Sequence, residues 1–403
     1  MNPSIKRLSE VAGKETRRII GLMSGTSLDG LDIALCRISG SGKATKVDLE
    51  HFLTMNYDEE SAAGLKKISS VDQVSLSEIC YRHTWLANLH AMMILKALDE
   101  WNITSGEVDC IASHGQTIYH LPARDQSNDE PKLNSTLQIG DGDHIAVKTG
   151  ILTISDLRQK HTAVGGEGAP LAGLVDEILF SSDAEPRILL NIGGIGNFTY
   201  LPAKKDSENS AFTTDTGPGN TLIDKLMQHY FDEPFDWDGM TARSGSVHEP
   251  LLKALLSDPW FEGEGSKTTG PEYFSTDWLR SRARNNGVDL KEIPPEDLVR
   301  TVTELSARTI SSLIKKTVPE NEKPVIYTSG GGVHNPVMMG QIAAGLPDYP
   351  MKDFAELGMD PDAKEAVIFA VLANEMLAGE GFSIDTDKGE RTGINLGKIS
   401  FLQ

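Results

Sequence analysis

Residues 21–32 most constrain the fold of this chain, because they place a polar, glycine-bearing turn between two β-favouring apolar runs. Ile19 and Ile20 precede the turn and residues 33–38 follow it, so the pattern predicts a strand, a tight turn and a second strand. Glycine lets backbone N–H groups approach a ligand closely, and successive N–H groups in such a turn bind anions. Asp29 and Asp32 could hold a hydrated Mg²⁺, which keeps several waters and few carboxylates. An ordinary surface hairpin with polar decoration explains these residues equally well.

The overall charge restricts the kinds of partner. The chain has 403 residues and a net charge of −20, which argues against nucleic acid or an anionic membrane surface as the main partner, because these bind basic faces. A nucleotide site is compatible with this charge, since backbone amides and a metal ion hold phosphates locally. The length predicts about two to three domains at roughly 100–200 residues each.

The composition also bears on cellular location. No run of about 18 apolar residues predicts a membrane span. Residues 1–18 lack the apolar core of a secretory signal, and we expect a flexible tail there. Cys36, Cys80 and Cys110 are widely spaced and match neither a zinc pattern nor a disulfide framework. From these features we expect a cytoplasmic protein.

The strand and glycine-turn pattern returns later in the chain. Residues 188–199 again predict a strand, a glycine turn and a strand, and residues 325–332 predict a strand that ends in three glycines. Residues 108–112 predict a short strand that ends in a polar loop at 113–117. Helical patterns separate these strands, so the chain is predicted to be an α/β protein with two lobes and a cleft between them.

Together, the glycine turns resemble the phosphate-one, phosphate-two and adenosine motifs of the actin, sugar kinase and heat-shock ATPase superfamily. Longer strings resemble those of one branch, the anhydro-N-acetylmuramic acid kinases, in the family order from residue 19 to residue 377. Besides residues 21–32, the strings are SHGQT at 113–117, QIGD at 138–141, GGEGAPL at 165–171, NIGG at 191–194 and DTGPGN at 215–220.

The resemblance implies the two-lobed actin-like ATPase fold, which is ribonuclease H-like, with central mixed sheets and a cleft between the lobes. We expect residues 1–150 plus 380–403 to form the N-terminal lobe with the phosphate-binding hairpin. Residues 151–379 are expected to form the C-terminal lobe with the second phosphate motif, the adenosine motif and the catalytic aspartate.

The family reaction uses ATP and Mg²⁺. Water opens the 1,6-anhydro bridge of 1,6-anhydro-N-acetylmuramic acid, O6 takes the γ-phosphoryl group, and the products are N-acetylmuramic acid 6-phosphate and ADP. This is a step of cell-wall recycling. The resemblance places the general base at Asp215, although the residues alone favour a carboxylate that caps the turn before Gly217 and Pro218.

The resemblance also assigns residues to each ligand. His114, Gln116 and Arg158 match positions around the sugar, and the planar fork of Arg158 suits the lactyl carboxylate. Glu365 matches a substrate-contacting glutamate, with a solvated helix face as the alternative. The metal is expected at Asp29 and Asp32 through water. The residues expected to bind ATP lie in the glycine turns: Gly25, Thr26, Ser27, Leu28, Asp29, Gly30, Leu31, Asp32, Gly193, Gly194, Gly217, Gly330, Gly331 and Gly332.

This sequence departs from the family pattern near the sugar site. Leu157 stands where Phe is usual, His161 where Asp is usual, Glu167 where Gln is common, and Pro271 where Arg is usual. These departures leave the sugar itself open, and a kinase for a related anhydrosugar such as levoglucosan is the close alternative. A nucleotide-switched binding module without a sugar substrate is a third interpretation. We expect a homodimer, as is common in the family.

Overall fold

The structure is a computed structural model that describes residues 1–25, 27–123, 126, 131–203, 210–263, 267–270, 273–319, 321–385 and 391–402. The strands of the described chain are β1 Thr16–Ser24, β2 Gly30–Ser39, β3 Lys46–Asn56, β4 Cys110–Leu121, β5 Ser135–Ile139, β6 Thr153–Ser155, β7 Arg187–Ile192, β8 Ile195–Leu201, β9 Phe212–Pro218, β10 Val325–Ser329, β11 Met351–Asp353, β12 Phe382–Asp385, β13 Arg391–Ile394 and β14 Lys398–Ser400. The α-helices of the same residues are α1 Pro3–Ala12, α2 Glu59–Lys66, α3 Leu76–Glu100, α4 Gly142–Thr149, α5 Gln159–Ala163, α6 Ala172–Phe180, α7 Thr221–Phe231, α8 Met240–Ser244, α9 Glu249–Leu256, α10 Thr276–Asn285, α11 Pro295–Thr317, α12 Pro336–Gly345 and α13 Lys364–Ala378.

The chain forms two compact units whose boundaries differ from the expected ones. Unit 1 comprises Met1–Leu179 and Asp362–Gln403, and unit 2 comprises Phe180–Pro361. The expected boundaries lay near residues 150 and 380. Strand β6 pairs with β4 and β14, which keeps the chain after residue 150 in unit 1. Helix α13 packs on β1, β2 and β4, which places it in unit 1 as well.

Five strands in the sheet of each unit share the same order and directions. In unit 1 the order is β3-β2-β1-β4-β6-β14, with β5 paired to β4; in unit 2 it is β9-β8-β7-β10-β11. In each sheet the first strand pairs with an antiparallel hairpin on one side and with parallel strands on the other. This shared mixed topology is ribonuclease H-like, and it confirms the predicted α/β fold and the two hairpins predicted at residues 21–32 and 188–199.

In unit 1, helices α3 and α13 cover the two faces of the sheet. Side chains alternate along a strand, so Ile20 and Leu22 of β1 face the apolar core that includes residues of α3. Gly21 faces the other way, toward α13: a Cβ atom built on it would lie 1.9 Å from the carbonyl oxygen of Ala366. Glycine is therefore required where the strand and the helix backbones come together.

Unit 2 has a core of its own around α11. This helix packs against α7, α8, α9, α12 and strand β9. Its buried Val302, Leu305 and Ile310 belong to one apolar cluster with Phe198 and Tyr200 of β8. The apolar face of α11 thus anchors the sheet of this unit.

Two local expectations were wrong. The N-terminal residues expected to be a flexible tail include α1, whose Val11 is fully buried. The SHGQT string does not form a loop after a strand, because β4 continues through it to Leu121. A left-handed Gly115, with φ of 71°, lets the strand continue while β4 takes β5 as an antiparallel partner. Among the described residues, no helix has both the length and the apolar character needed to cross a membrane.

We predict that Gly21→Ala destabilises the protein by about 3 kcal/mol or more, because the new methyl group collides with the backbone of α13 rather than with a flexible side chain. Urea unfolding measures the change. Gly106→Ala in the same unit is the control, since a Cβ at Gly106 meets no atom within 4 Å. Equal stability of the two variants would contradict the close packing of β1 on α13.

Candidate active site

The turn between β1 and β2 offers main-chain groups. The Leu28 N–H donates to the Gly25 carbonyl oxygen at 3.3 Å, and Leu28 is left-handed with φ of 58°. Leu28 and Leu31 are buried in the core of unit 1, so only their backbone groups could reach a phosphate. The expected ligand residue Thr26 lies outside the described residues. The turn thus has the backbone-rich character predicted for an anion site.

A buried chain of polar side chains supports this turn from below. Gln116 donates to the Gly25 carbonyl oxygen at 3.0 Å and accepts from the Ser24 hydroxyl at 2.6 Å. Ser24 in turn contacts the Tyr57 hydroxyl at 2.8 Å, and Tyr57 contacts Nε2 of His90 at 2.7 Å. The amide of Gln116 is therefore used to position the turn, and its expected contact with a sugar stays a prediction.

His114 and Arg158, expected together at the sugar site, are in direct contact. Arg158 Nε donates to His114 Nε2 at 3.0 Å, so His114 is neutral and carries its proton on Nδ1. Burial, reinforced by the positive charge of Arg158, lowers the pKa of His114 well below its ordinary value. A second Arg158 nitrogen donates to the Gly168 carbonyl oxygen at 3.0 Å, so these two bonds hold the guanidinium in place. His114 also lines a polar cavity of about 330 Å³ with residues of the QIGD string.

Glu365 lies in the first turn of α13 and is electrostatically coupled to Arg158. Burial lowers the pKa of Arg158 to about 10, and the carboxylate of Glu365 opposes that shift. Glu365 is exposed as a residue, yet the loss of water around its carboxyl group raises the pKa of that group. The positive charges of Lys364 and Arg158 oppose this shift. The structure thus brings His114, Arg158 and Glu365 to one region of unit 1.

Asp29 and Asp32 offer a small donor set for a cation. Asp32 accepts from the Thr54 hydroxyl at 2.6 Å, and Asp29 accepts from the Ser27 hydroxyl at 2.8 Å. Burial raises the pKa of Asp32, and the nearby negative charges of Asp29 and Asp362 raise it further. The described part of the chain contains no group of three or more His, Cys, Asp or Glu side chains arranged for a metal. Two carboxylates fit an ion held largely by water and phosphate, as Mg²⁺ is.

In unit 2 the turn between β7 and β8 packs on the N-terminus of α7. The Gly193 carbonyl oxygen accepts the Asn220 N–H at 2.8 Å, and the Gly194 carbonyl oxygen accepts the Gly219 N–H at 2.8 Å. The Thr221 hydroxyl also donates to Gly194 at 2.8 Å. This arrangement sets a glycine turn beside a helix N-terminus, where backbone N–H groups and the helix dipole favour anions.

The third glycine turn packs against the same strand end. Gly330 has φ of 85°, and a Cβ on it would lie 2.6 Å from Asn191 Oδ1. A Cβ on Gly332 would lie 2.3 Å from Ile192 Cγ2, whereas one on Gly331 would meet only Asn220 Nδ2 at 3.6 Å. Gly217, with φ of 119°, lies inside β9 and packs on Phe261. Gly331 is therefore the glycine of this set with most space beside it.

Asp215 is held by the segment that follows residue 266. Its Oδ2 accepts the Thr269 N–H at 2.7 Å, and its own N–H donates to the Lys267 carbonyl oxygen at 2.9 Å. These bonds orient the carboxylate on β9, and a catalytic side chain needs to be held in this way. They are also compatible with the turn-capping alternative.

Unit 2 also contains a cavity of about 470 Å³ that the sequence did not reveal. Phe235 and Trp237 line it with ring centroids 4.1 Å apart. Gly331 and Asn220 form part of its wall, which links it to the glycine turns, and Asp224 of α7 also lines it. The exposed aromatic pair at 235 and 237 was the available signal, because large apolar side chains at a surface often mark a binding site.

The departures from the family pattern have structural consequences where they are described. His161 Nδ1 accepts the Gly168 N–H at 3.0 Å, so this histidine supports the loop whose carbonyl holds Arg158. Burial and the charge of Arg158 lower the pKa of His161. Leu157 is buried, and Pro271 lies outside the described residues.

Comparison with known proteins gives a consistent result. A family model described as anhydro-N-acetylmuramic acid kinase matches residues 17–401. The protein of that name from Pseudoalteromonas atlantica is 46% identical over 100% of both chains, and that from Pseudoalteromonas translucida is 42% identical over 100% of both. The one from Caldanaerobacter subterraneus is 38% identical over 98% of this chain and 99% of its own.

We predict that His90 makes the protein sensitive to acid. Full burial lowers the pKa of His90 to about 3, so the folded state keeps the ring neutral while the unfolded state takes up a proton below about pH 6.5. Stability is therefore complete above that pH and falls as the pH drops toward 3. Between pH 7 and pH 5 the wild type should lose about 2 kcal/mol more than His90→Gln in urea unfolding. Parallel pH profiles of the two proteins would contradict this.

Proposed function

The chain belongs to the anhydro-N-acetylmuramic acid kinase family, and from this premise we propose that it phosphorylates 1,6-anhydro-N-acetylmuramic acid with ATP while water opens the anhydro bridge. The products would be N-acetylmuramic acid 6-phosphate and ADP, in cell-wall recycling. The observation that carries the sugar assignment is the Arg158–His114 contact, because it holds a guanidinium ready for a carboxylate that this sugar has and levoglucosan lacks.

ATP binding is supported by the backbone of three glycine turns. The turn after Gly193 lies at the N-terminus of α7, and Gly331 borders the cavity lined by Phe235 and Trp237. An aromatic-lined cavity next to an anion-favouring helix end suits a base joined to phosphates. We propose that the turn after Ser24 binds phosphate through its backbone, and that Asp29 and Asp32 hold Mg²⁺ through water. The ion, when bound, neutralises phosphate charge.

The sugar side is supported by charge and polarity in unit 1. Two of the Arg158 donors are already used by His114 and Gly168, and the remaining N–H groups can bind a lactyl carboxylate. Glu365 and Gln116 are proposed to complete this group, with the polar cavity lined by His114 as space for hydroxyl groups.

The proposed chemistry gives Asp215 the role of general base. Asp215 takes a proton from water as the water oxygen bonds to the anomeric carbon. The bond from that carbon to O6 breaks with its electron pair on O6, and O6 bonds to the γ-phosphorus as the bond to ADP breaks. The Thr269 N–H donates to one carboxylate oxygen of Asp215 and so orients the group that takes the proton.

An isotope experiment tests the reaction. The enzyme, ATP, Mg²⁺ and 1,6-anhydro-N-acetylmuramic acid are mixed in ¹⁸O-water, and the product is reduced at once with borohydride to prevent exchange. Mass spectrometry and NMR should find ¹⁸O on the anomeric carbon and phosphate on O6. Purified product kept in ¹⁸O-water without enzyme is the control for exchange.

The other outcomes identify the alternatives. Phosphorylation with the anhydro bridge intact would exclude the coupled reaction. Faster turnover of levoglucosan than of the muramic sugar would assign the related kinase activity. ATP hydrolysis at a rate that does not change when any sugar is added would indicate a nucleotide-switched binding module. The homodimer and the cytoplasmic location stay predictions.

We predict that Asp215→Asn lowers kcat by about 10²–10⁴-fold, because an amide cannot take the proton from water. Binding of ADP, measured by calorimetry, should change little. Thr213→Ser on the same strand is the control and should keep wild-type turnover. A near-normal kcat for Asp215→Asn would remove Asp215 as the base.

We predict that Arg158→Lys raises KM for the muramic sugar by about 10–100-fold, because lysine lacks the fork that binds a carboxylate while contacting His114 and Gly168. KM for 1,6-anhydro-N-acetylglucosamine, which has no lactyl group, should change much less, and KM for ATP should not change. Arg37→Lys, at an exposed position of β2, is the control. An equal rise in KM for both sugars would contradict the carboxylate contact.

A further inference from the structure

The cavity of unit 2 contains a carboxylate that the fold does not use. Asp224 is half-buried on α7 and lines the cavity. Within the described chain its side chain takes part in no hydrogen bond or ion pair. Its neighbour Asp236 differs, because both of its oxygens accept backbone N–H groups, from Thr241 and Ala242. Asp236 thus stabilises the fold, whereas the described residues offer the Asp224 side chain no such partner.

An unpaired, half-buried carboxylate is unfavourable for folding. Removal from water, with no nearby cation to compensate, raises the pKa of Asp224 to about 6. At neutral pH the group is ionised and can only accept hydrogen bonds. Its two oxygens match two adjacent hydroxyl groups, and hydroxyl-to-carboxylate bonds are among the stronger hydrogen bonds. The chemistry therefore favours a ligand with a vicinal diol.

The position of Asp224 along α7 indicates which diol. Asn220 and Thr221 at the helix N-terminus contact the Gly193–Gly194 turn, where phosphate is proposed to bind. Asp224 lies about one helical turn, or about 5.4 Å, further along the helix. It lines the same cavity as Phe235 and Trp237, which suit a flat base. In a nucleotide the ribose joins the base to the phosphates, so the carboxylate lies where a ribose would.

We propose that Asp224 accepts hydrogen bonds from the 2′- and 3′-hydroxyls of the nucleotide and so selects ribonucleotides over deoxyribonucleotides. This proposal rests on the proposed function only in taking ATP as the phosphoryl donor. It adds a specificity-determining residue that lies outside the glycine turns.

The test compares ATP with 2′-deoxy-ATP and 3′-deoxy-ATP. The wild type should prefer ATP in kcat/KM by about tenfold or more over each analogue, since a hydrogen bond to a charged group is lost. Asp224→Asn and Asp224→Ala should reduce that preference to about threefold or less. Calorimetry with ADP and 2′-deoxy-ADP should give the same pattern without turnover. KM for the sugar should stay unchanged.

Two further variants sharpen the test. Asp232→Asn removes a charge at the C-terminal end of the same helix, where asparagine tolerates the left-handed backbone with φ of 55°, and it should keep the wild-type preference. The Asp224→Asn protein without ligand should melt at a temperature a few degrees higher than the wild type, because it no longer holds an unpaired half-buried charge.

Asp238 also lines the cavity. Three results would overturn the proposal: no ribose preference in the wild type, a wild-type preference in both Asp224 variants, or loss of the preference in Asp238→Asn instead. These results differ from a failure of the proposed function. If the wild type neither binds nor uses ATP, the kinase proposal fails; if it uses ATP without regard to the ribose hydroxyls, only the role of Asp224 fails.

Discussion

The direct packing of α13 on β1 is the contact on which the site in unit 1 depends. Gly21 allows the backbone of the strand to meet the backbone of the helix at Ala366. Further along the same pair, the buried Arg17 of β1 donates to Asn374 at 3.0 Å. The Gly42 N–H, in the segment after β2, donates to Glu375 of the same helix at 2.9 Å. The partners are 357 residues apart in the first bond and 333 in the second. Because the helix is held along its length, Glu365 in its first turn is brought near Asp32 and Arg158.

Buried polar side chains, rather than apolar ones, determine the position of the turn after β1. A buried donor or acceptor without a partner costs about 1–3 kcal/mol, so the linked side chains of Gln116, Ser24, Tyr57 and His90 favour one arrangement. The same reasoning applies to Arg158, whose bonds to His114 and Gly168 restrict the guanidinium. Each group contains one neutral histidine, because burial lowers the pKa of His90 and of His114. These hydrogen bonds orient the side chains without the help of a ligand.

The two units share one sheet topology but offer different chemical groups to a ligand. In unit 1 the loop region carries ionisable side chains, whereas in unit 2 the glycine turns and the end of α7 offer mainly backbone. Asp224 in the cavity of unit 2 differs from Asp236 because, among the residues that the structure describes, its side chain has no hydrogen-bond or ion-pair partner. A residue that weakens the fold and lines a cavity is better explained by a ligand than by stability.

The sequence by itself determined the elements whose signals are local. The hairpin after Ile20, the glycine turn after Ile192 and the helix that begins at Pro295 follow from β-propensity, turn residues and helix-start residues over a few positions. The resemblance to the family also assigned His114, Arg158 and Glu365 to the same ligand. Tertiary structure alone decided the rest. It showed that β4 runs through Gly115, that α1 is ordered by burial of Val11, and that α13 belongs to unit 1. The partners of Gln116 and the isolation of Asp224 were equally hidden, because burial and hydrogen bonding depend on residues that are far away in the chain and leave no periodic pattern in it.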